Sequence, residues 1–579
     1  GVSTLSLFGE FYLAGYGKGA DALELWAAEN PILVISQVFV DGTGVAADKL
    51  AELGAAKYDG VKAGGYADIP DFEGTLKRVG MTQITKADVP VPTWFVNSNG
   101  ENVAYWKAAS DCVEQADANG VYHQDIASDA LQTEHANAEA LKLNADEAYG
   151  ISQVKVSKGT PKADEIYAFL STYTRYENSF AYANTLAYRV DYTAARVGAQ
   201  KQAAEGKVIA TYPSVDCEGK AVEVTVLGQA TTDVKTQGGA AKVQVGVFAF
   251  SDNNEDGKND PREYLVYVPQ GFEGKLPVLM VYPGNTQTDG IFFDCTQWYQ
   301  VADREGIALV FVNETYSGPT AITHVDAQYY QTAMMTVLEK EIDGKLASLD
   351  FERVYGTGQS LGSMTTQRMA RVYPEFFAAV ASTSGVGIVE FGTDANQMIP
   401  TFMLTGQSDL EFLLPDLWQA ANLPDWANYF IKVNGIQGTI DDGAYTAAKI
   451  NSFDRVDLYT WKNADGVPML QWGQTMMRAH NCYAGEMQLM WDYLKDFSFK
   501  KAEDGTITRY YQGQEISVPA PKAEFSDVSA NDWFAKAVDY AVAKNMMAGV
   551  AKDKFEPQTT ASRAMVVQML YAMAGKPEA

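Results

Sequence analysis

The sequence is poor in histidine, cysteine and basic residues, and it has no long apolar run. Its 579 residues include four histidines, four cysteines and 45 Lys or Arg against 73 Asp or Glu, a formal net charge of −28. So acidic a chain is a poor partner for nucleic acid or an anionic membrane. The cysteines are widely spaced without a Cys-x-x-Cys pair, which argues against a zinc site. The longest apolar runs fall short of the roughly 18 residues that a transmembrane helix needs.

What is present indicates several globular units. Hydrophobic residues make up 47% of the chain, and a prior of about 150 residues per domain suggests three or four units. Short apolar strands alternate with helical stretches in the central region. The strand candidates are 276–282, 307–312, 354–357, 377–381 and 401–404. This alternation predicts an α/β fold with a mostly parallel sheet, covered on both faces, whose site lies at the strand C-termini.

One pentapeptide carries the clearest chemical signal. Gly358-Gln359-Ser360-Leu361-Gly362 has the form Gly-x-Ser-x-Gly, follows the strand-like run 351–356 and precedes a helical stretch, 363–372. A nucleophile elbow requires this strand–turn–helix context, in which a strained turn projects the serine hydroxyl into a cleft. Small flanking residues let the strand and the helix approach closely. We therefore predict that Ser360 is a nucleophile.

A serine nucleophile needs a base, and the base needs an acid that orients it. In elbow hydrolases the order along the chain is Ser, then Asp or Glu, then His. Of the four histidines, His480 is the one that follows Ser360, so it is the predicted base. The predicted acid is Asp409, at the tip of the strand candidate 401–404, with Glu411 and Asp416 as rivals.

The oxyanion of the reaction needs two N–H donors. The backbone of Leu361, directly after the nucleophile, is the first predicted donor. The second is placed in the loop after strand 276–282, where Asn285 is preferred and Thr286 comes next, although Pro283 and the following glycine could also form an ordinary turn. Cys295 after this loop and Cys482 after His480 could meet near the site.

Residues 261–500 resemble the polyhydroxybutyrate depolymerase-type esterases of the α/β-hydrolase fold, which include feruloyl and acetyl-xylan esterases. Residues 262–269 resemble their opening strand, and residues 283–288 resemble their His-Gly-Cys-x-Gln loop, with Pro283 in place of the His and Asn285 in place of the Cys. The resemblance implies a serine esterase that acts through an acyl-enzyme on aryl, feruloyl, acetyl or polyester-type esters. Catalysis would require no cofactor.

Four residues near the predicted triad are candidates for substrate binding: Trp298, Gln359, Trp418 and Trp472. Aromatic side chains beside a serine site suit flat or apolar acyl groups. The alternative is that the tryptophans pack the long segment 410–471, which would be an inserted subdomain.

A calcium loop is a further candidate. Asp252, Asn254, Asp256 and Glu263 follow the spacing Asp-x-Asn-x-Asp-Gly-x5-Glu, which supplies oxygen ligands. The alternative is an acidic turn, because Pro261 interrupts the loop and Glu263 begins a strand.

The N-terminal region repeats the order of the central one. Gly15-Tyr16-Gly17-Lys18-Gly19 aligns with the elbow pentapeptide at an offset of 343 residues, and Ala27, Pro31 and Gly42 align at the same offset with Ala370, Pro374 and Gly385. Residues 92–96 likewise mirror 400–404, which puts Glu101 at the position of the acid. Because Gly17 replaces the serine, residues 1–200 are interpreted as a partial, degenerate and non-catalytic hydrolase-like domain, with chance similarity as the alternative.

The remaining boundaries follow from composition. Residues 201–260 are predicted to be a β-rich connecting segment, 501–524 a linker, and 525–579 a separate small module. That module resembles one S-layer homology repeat, and the motif residues are Phe525, Asp527-Val528, Trp533-Phe534, Phe555, Pro557 and Arg563-Ala564. The family pattern has Thr and Glu where Ser562 and Met565 stand. The resemblance implies a cell-wall polymer as partner and a secreted protein on a bacterial surface.

Two functions from different classes therefore remain. The first is a secreted, surface-associated serine esterase. The second is a catalytically idle hydrolase-fold protein that binds glycan or polymer at the wall. Retention of Ser360, Asp409 and His480 favours the first.

Overall fold

Three groups of elements follow one another along the chain. The computed structural model describes residues 11–57, 74, 77, 85–98, 100–125, 151–175, 186–236, 238–251, 257–284, 288–315, 324–385, 391–407, 409, 423–440, 445–450, 456–476, 478, 480, 484–517, 525–529, 531–543, 546–551 and 553–573. Among the helices in these ranges, none is long and apolar enough to span a bilayer.

The first unit is a small α/β body. Its elements are β1 (Phe11–Tyr16), α1 (Lys18–Glu29), β2 (Val34–Val40), α2 (Ala47–Gly54), β3 (Thr93–Val96), α3 (Glu101–Ala109), β4 (Val121–His123), β5 (Gln153–Ser157), α4 (Ala163–Leu170), β6 (Tyr173–Arg175) and β7 (Leu186–Tyr188). The sheet order is β1-β2-β3-β5-β4, and the first four of these strands are parallel. Every residue of β2 is buried, as expected for a strand covered on both faces.

The central unit contains a much larger sheet. Its elements are α5 (Thr193–Ala204), β8 (Ala210–Val215), β9 (Ala221–Lys235), β10 (Ala240–Ala249), β11 (Pro261–Pro269), β12 (Leu276–Tyr282), α6 (Asp289–Thr296), α7 (Trp298–Glu305), β13 (Ala308–Thr315), α8 (His324–Val337), β14 (Leu349–Gly358), α9 (Leu361–Val372), β15 (Ala379–Thr383), β16 (Thr401–Gly406), α10 (Leu423–Val433), β17 (Thr446–Ile450), β18 (Val456–Trp461), β19 (Leu470–Thr475) and α11 (Ala484–Leu494). The strand order across the described part is β17-β18-β19-β16-β15-β14-β12-β13-β11-β10-β9-β8.

The middle of this sheet is parallel and apolar. Strands β13, β12, β14, β15, β16 and β19 pair in parallel, and the flanking strands pair antiparallel. All residues of β12, β15 and β16 are buried, because helices cover both faces of the sheet. The predicted α/β-hydrolase fold is confirmed, and its sheet has a parallel centre with antiparallel strands on both sides.

The predicted connecting segment, 201–260, is not a separate part of the chain. Strands β8, β9 and β10 continue the central sheet beyond β11. Helix α5 begins before the predicted boundary at residue 200 and packs closely on β9, where a Cβ at Gly228 would lie 2.1 Å from the carbonyl oxygen of Ala199. Alternating apolar residues in β9 and β10 face the core, and the central unit therefore begins near α5.

The predicted linker, 501–524, is also wrong over its first part. Strands β20 (Phe497–Lys501), β21 (Ile507–Tyr511) and β22 (Gln514–Glu515) form a small antiparallel sheet beside the central one. The buried guanidinium of Arg509 donates to the carbonyl oxygens of Pro374, Phe377, Ala378 and Met398. These hydrogen bonds attach the polar β20–β22 sheet to the central unit.

The C-terminal module contains α12 (Ala535–Ala543) and α13 (Arg563–Met573). The carboxylate of Asp527 accepts the main-chain N–H groups of Phe555 (2.9 Å) and Glu556 (2.7 Å). The rings of Phe525 and Phe555 lie 5.2 Å apart. The Phe-x-Asp and Phe-x-Pro motifs of the predicted repeat thus contact each other, while Trp533 is 91% exposed.

The first and central units share the geometry of the elbow. Gly17 joins β1 to α1 with φ 54° and ψ −129°, and Ser360 joins β14 to α9 with φ 55° and ψ −120°. A short 3-10 turn beginning with proline follows each helix. The sheet order β1-β2-β3-β5 corresponds to β14-β15-β16-β19, and the next strand is antiparallel in each case, β4 beside β5 and β18 beside β19.

A buried hydrogen bond is also shared. The indole Nε1 of Trp106 on α3 donates to Glu24 on α1 (3.0 Å), and that of Trp426 on α10 donates to Gln367 on α9 (2.9 Å). Positions 24 and 367 are related by the same offset of 343 residues. The two units differ chemically at this position, because the first carries a carboxyl where the second has an amide.

We expect Glu24 to make the first unit less stable above about pH 6. Glu24 is 1% exposed, and burial raises its pKa from 4.5 to about 6 against the lowering effect of the bonds from Asn102 and Trp106. The folded state binds this proton more tightly than the unfolded state, so stability falls as pH rises from about 4.5 through about 6. Glu24→Gln, the residue of the central unit, should raise the free energy of unfolding at pH 8 by about 1–2 kcal/mol.

Urea unfolding at pH 4.5 and pH 8 checks this expectation. The exposed Glu29, on the same helix, provides the control Glu29→Gln, which removes a carboxylate without changing a buried contact and should not raise stability at pH 8. Equal stabilities of wild type and Glu24→Gln at pH 8 would contradict it.

Candidate active site

The turn at Ser360 holds a non-glycine residue in the left-handed region of the backbone. A Cβ on Gly362 would lie 2.0 Å from the carbonyl oxygen of Tyr282 and 2.5 Å from that of Pro283. A Cβ on Gly385 would lie 2.3 Å from the carbonyl oxygen of Ser360. Glycine is therefore required where α9 and the end of β15 pass neighbouring backbone, and this close packing keeps the strained turn in place.

We expect Gly362→Ala to destabilise the central unit strongly, by about 3 kcal/mol or more, because backbone rather than a flexible side chain occupies the space. The first unit offers a matched control. Gly19 occupies the same elbow position, and a Cβ there meets nothing within 4 Å, so Gly19→Ala should change stability by less than about 1 kcal/mol. Thermal unfolding of both variants tests the pair, and similar losses in the two would contradict this packing argument.

The structure brings the three predicted triad residues together. The Nε2 atom of His480 lies 2.9 Å from Oγ of Ser360, and its Nδ1 lies 2.6 Å from Oδ1 of Asp409. Asp409 is fully buried and His480 nearly so. The three residues follow β14, β16 and β19, whose C-terminal ends meet at the same edge of the sheet. The rivals Glu411 and Asp416 lie outside the described residues.

The second carboxylate oxygen of Asp409 is also held. Its Oδ2 accepts the Ser384 hydroxyl (2.8 Å) and the main-chain N–H of Gly406 (3.0 Å). Burial opposes ionisation, but the hydrogen bond and charge of His480, the charge of Arg478 and the Gly406 N–H outweigh it, so the pKa of Asp409 lies below its usual range. Asp409 is therefore an anion that can orient His480 and stabilise its protonated form.

Of the two predicted oxyanion donors, the structure describes Leu361. Leu361 is the first residue of α9, so its N–H belongs to the first turn of a helix, where N–H groups have no partner within the helix. Asn285 and Thr286 lie outside the described residues. So does Cys482, and its predicted proximity to Cys295 stays a prediction.

Three of the four predicted substrate residues lie in the described part of the chain, and all three are buried there. Trp298 is 1% exposed within the main hydrophobic core, and Trp472 is equally buried in β19, where its ring lies 5.2 Å from that of Tyr459. Gln359 is buried as well. Burial in the core argues against substrate contact by the two tryptophans, because large apolar side chains gain free energy from such burial. A role of Gln359 in substrate binding stays a prediction. Trp418 lies outside the described residues.

Glu263, the last predicted ligand of the calcium loop, makes other contacts in the structure, and the calcium site stays a prediction. The carboxylate of Glu263 on β11 is buried, and it accepts from Arg196 (2.8 Å) and Gln200 (2.9 Å), both on α5. Asp252, Asn254 and Asp256 lie outside the described residues. In the described part of the chain, no three His, Cys, Asp or Glu side chains are grouped so as to hold a metal ion. Glu263 instead joins α5 to the central sheet.

Three residues of the site were missed from the sequence: Ser384, Arg478 and Glu486. Ser384 contacts Asp409, Arg478 contacts Ser384 (2.6 Å), and Glu486 pairs with Arg478 (2.7 Å). Arg478 did carry a signal, because it is a charged residue two positions before the predicted base. Ser384 and Glu486 carried none, because only the fold brings β15 and α11 to this point.

Known proteins resemble this chain in both of its recognisable parts. Residues 524–564 match the family model described as the S-layer homology domain. The chain is 28% identical over 140 residues to acetylxylan esterase A of Emericella nidulans, covering 23% of this chain and 45% of that protein. It is 25% identical over 194 residues to acetylxylan esterase A of Aspergillus ficuum, covering 31% and 61%.

Among solved structures, the acetyl xylan esterase from Aspergillus awamori is 15% identical, with a TM-score of 0.29, and the match covers 42% of this chain and 96% of that one. The chain spans about half the length of the curated relatives it matches. The central unit has the strand order and elbow of an α/β-hydrolase fold and is similar in sequence to acetylxylan esterases, and residues 524–564 match the S-layer homology domain.

Proposed function

We propose that the central unit is a serine carboxylic ester hydrolase. The observation that carries the proposal is the continuous hydrogen-bonded line from Ser360 through His480 to the buried carboxylate of Asp409. The line begins at a strained elbow, where the hydroxyl is held at the end of the sheet. Similarity to acetylxylan esterases supports the same reaction class.

The proposed reaction proceeds through an acyl-enzyme. Oγ of Ser360 attacks the ester carbonyl carbon while Nε2 of His480 takes its proton, and Asp409 stabilises the imidazolium through Nδ1–H. The N–H of Leu361 and a second donor, which we place at Asn285, hold the oxyanion. The imidazolium then protonates the leaving alcohol. Water, deprotonated by His480, releases the acid from Ser360.

For the substrate we propose acetyl esters of a xylan-type polysaccharide. The relatives named above are acetylxylan esterases. Burial of Trp298 and Trp472 weakens the argument for aryl or feruloyl groups, which rested on aromatic side chains beside the serine. Feruloyl and polyester substrates remain the comparison cases.

We also propose that the S-layer homology domain holds the secreted enzyme on a bacterial cell wall, with a wall polymer as partner. The first unit would be a degenerate copy of the second half of the hydrolase sheet. Its shared element order, elbow angles and Trp106–Glu24 bond support this origin, and Gly17 leaves it without a nucleophile. For the first unit, unlike the central one, we propose a role in binding without catalysis.

Covalent labelling tests the proposed reaction. A fluorophosphonate should modify the wild-type protein once, on the peptide that contains Ser360, and the unlabelled protein should hydrolyse p-nitrophenyl acetate. Release of acetate from acetylated xylan, compared with release of ferulate from feruloyl esters, then ranks the substrates. Absence of both labelling and hydrolysis would instead favour the idle, binding-only alternative.

A further inference from the structure

Behind the triad lies a buried network of charges that the proposed reaction does not use directly. The side chains of Asp409, Arg478 and Glu486 are all fully buried. Arg478 pairs through Nε with Glu486 Oε1 (2.7 Å), and its Nη1 lies 3.6 Å from Oδ2 of Asp409. The hydroxyl of Thr475, at the end of β19, donates to the same Glu486 oxygen. The arginine thus lies between two buried carboxylates.

Hydrogen-bond chemistry fixes the direction of the Ser384 hydroxyl. Nη1 of Arg478 lies 2.6 Å from Oγ of Ser384, and a guanidinium can only donate. Oγ of Ser384 therefore accepts from Arg478, and its single proton points to Oδ2 of Asp409, 2.8 Å away. Nη2 of Arg478 donates to Oγ1 of Thr383 (2.9 Å). Arg478 thus fixes the end of β15 through Thr383. Through Ser384 it also fixes Oδ2 of Asp409.

The charges also balance during the proposed reaction. With His480 neutral, Asp409, Arg478 and Glu486 together carry one negative charge, and protonation of His480 brings the group to zero. Without Glu486, the Arg478 charge two positions before His480 would oppose the imidazolium in a buried setting where such repulsion is strong. Glu486 offsets that charge.

We propose that Arg478 and Glu486 are positioning residues for the catalytic triad, which rests on the proposed esterase function. Arg478 orients Ser384 and hence Asp409, and Glu486 neutralises Arg478 so that His480 can accept a proton. Among the described charged groups, Asp409 after β16 contacts His480, Arg478 after β19 contacts Asp409, and Glu486 on α11 contacts Arg478.

Proton NMR tests the positioning without any substrate. The Nδ1 proton of His480, in its short bond to Asp409, should give a low-field resonance in the wild type, assigned by its absence in His480→Gln. Arg478→Met/Glu486→Gln, which removes both charges together, should shift or broaden this resonance. Arg509→Met, which removes another buried arginine whose described hydrogen bonds go to backbone carbonyl oxygens, should not. An unchanged resonance in the double variant overturns the proposal.

Kinetics with p-nitrophenyl acetate supply the second test. The double variant should lose about 10- to 100-fold in kcat with KM within about twofold, because Arg478 no longer orients the Ser384 hydroxyl towards Asp409. Glu486→Gln alone should move the acidic limb of the kcat/KM profile to lower pH by about half to one unit, because Arg478 is then uncompensated. In the double variant the limb should return towards the wild-type position.

If Arg478 and Glu486 have a purely structural role, their variants should show a lower melting temperature but an unchanged acidic limb and an unchanged His480 resonance. This result would overturn the proposal. An inactive wild type would defeat the esterase function, while the NMR comparison would still decide the positioning role.

Discussion

Replacing Ser360 with alanine is expected to lower kcat for p-nitrophenyl acetate by about 10⁵- to 10⁶-fold, to a residual rate from binding and oxyanion stabilisation. Oγ of Ser360 is the atom that His480 Nε2 contacts, so the base loses its proton donor along with the nucleophile. The backbone strain is the same for serine and alanine at φ 55°. The melting temperature should therefore stay near the wild-type value.

A neighbouring serine provides the control for this loss. Ser363, on the first turn of α9, is buried, and its hydroxyl contacts Ser382 and the carbonyl oxygen of Gly385. Ser363→Ala should lower stability by about 1 kcal/mol and leave kcat within a few-fold. If Ser360→Ala retains more than about one hundredth of wild-type kcat, the acyl-enzyme mechanism does not hold.

The core of the site was predictable because it depends on chain order and on local geometry. Ser360 sits in a pentapeptide whose glycines are required by close backbone contacts, of Gly358 with Gly362 and of Gly362 with the end of β12. Asp409 was placed by the end of an apolar strand, and His480 by being the histidine that follows Ser360. The structure brings these three together, and their catalytic roles stay predictions.

The parts that failed depend on long-range packing. Trp298 and Trp472 are close in sequence to the site but point into the core, and sequence alone does not give side-chain direction. Arg509 lies in a polar segment that resembles a linker, yet it binds carbonyls more than 100 residues away. Glu486 reaches Arg478 only because α11 packs behind the triad.

The first unit shares backbone geometry with the central unit but lacks its reactive side chains. Gly17 and Ser360 have the same elbow backbone, and Trp106 and Trp426 donate to equivalent positions of α1 and α9, the helices that begin at these elbows. At the end of β2, Asp41 has φ 53°, as Ser384 has φ 60° at the end of β15. There the side chain of Asn97 joins Asp41 to the carbonyl oxygen of Gly159, a polar contact in place of an acid–base pair. Backbone geometry and packing are thus shared where the reactive side chains differ.

The second large effect is expected from Asp409→Asn. The main-chain N–H of Gly406 donates to Oδ2, and this donor cannot face an amide nitrogen. The asparagine must therefore place its oxygen towards Gly406 and Ser384 and its NH₂ group towards Nδ1 of His480. Nδ1 then becomes an acceptor and Nε2 carries the proton, so the imidazole cannot take a proton from Ser360. We expect kcat to fall by about 10⁴-fold with KM little changed.

Asp394 supplies the matched control for this substitution. It is a partly buried carboxylate paired with Arg368 and Arg371 on α9, and it makes no contact with the triad among the described residues. Asp394→Asn should lower the melting temperature and leave kcat within a few-fold. Loss of the His480 low-field proton resonance in Asp409→Asn, with its retention in Asp394→Asn, would link the kinetic loss to the tautomer. A fall in kcat of less than about tenfold in Asp409→Asn would mean that Asp409 does not orient the base.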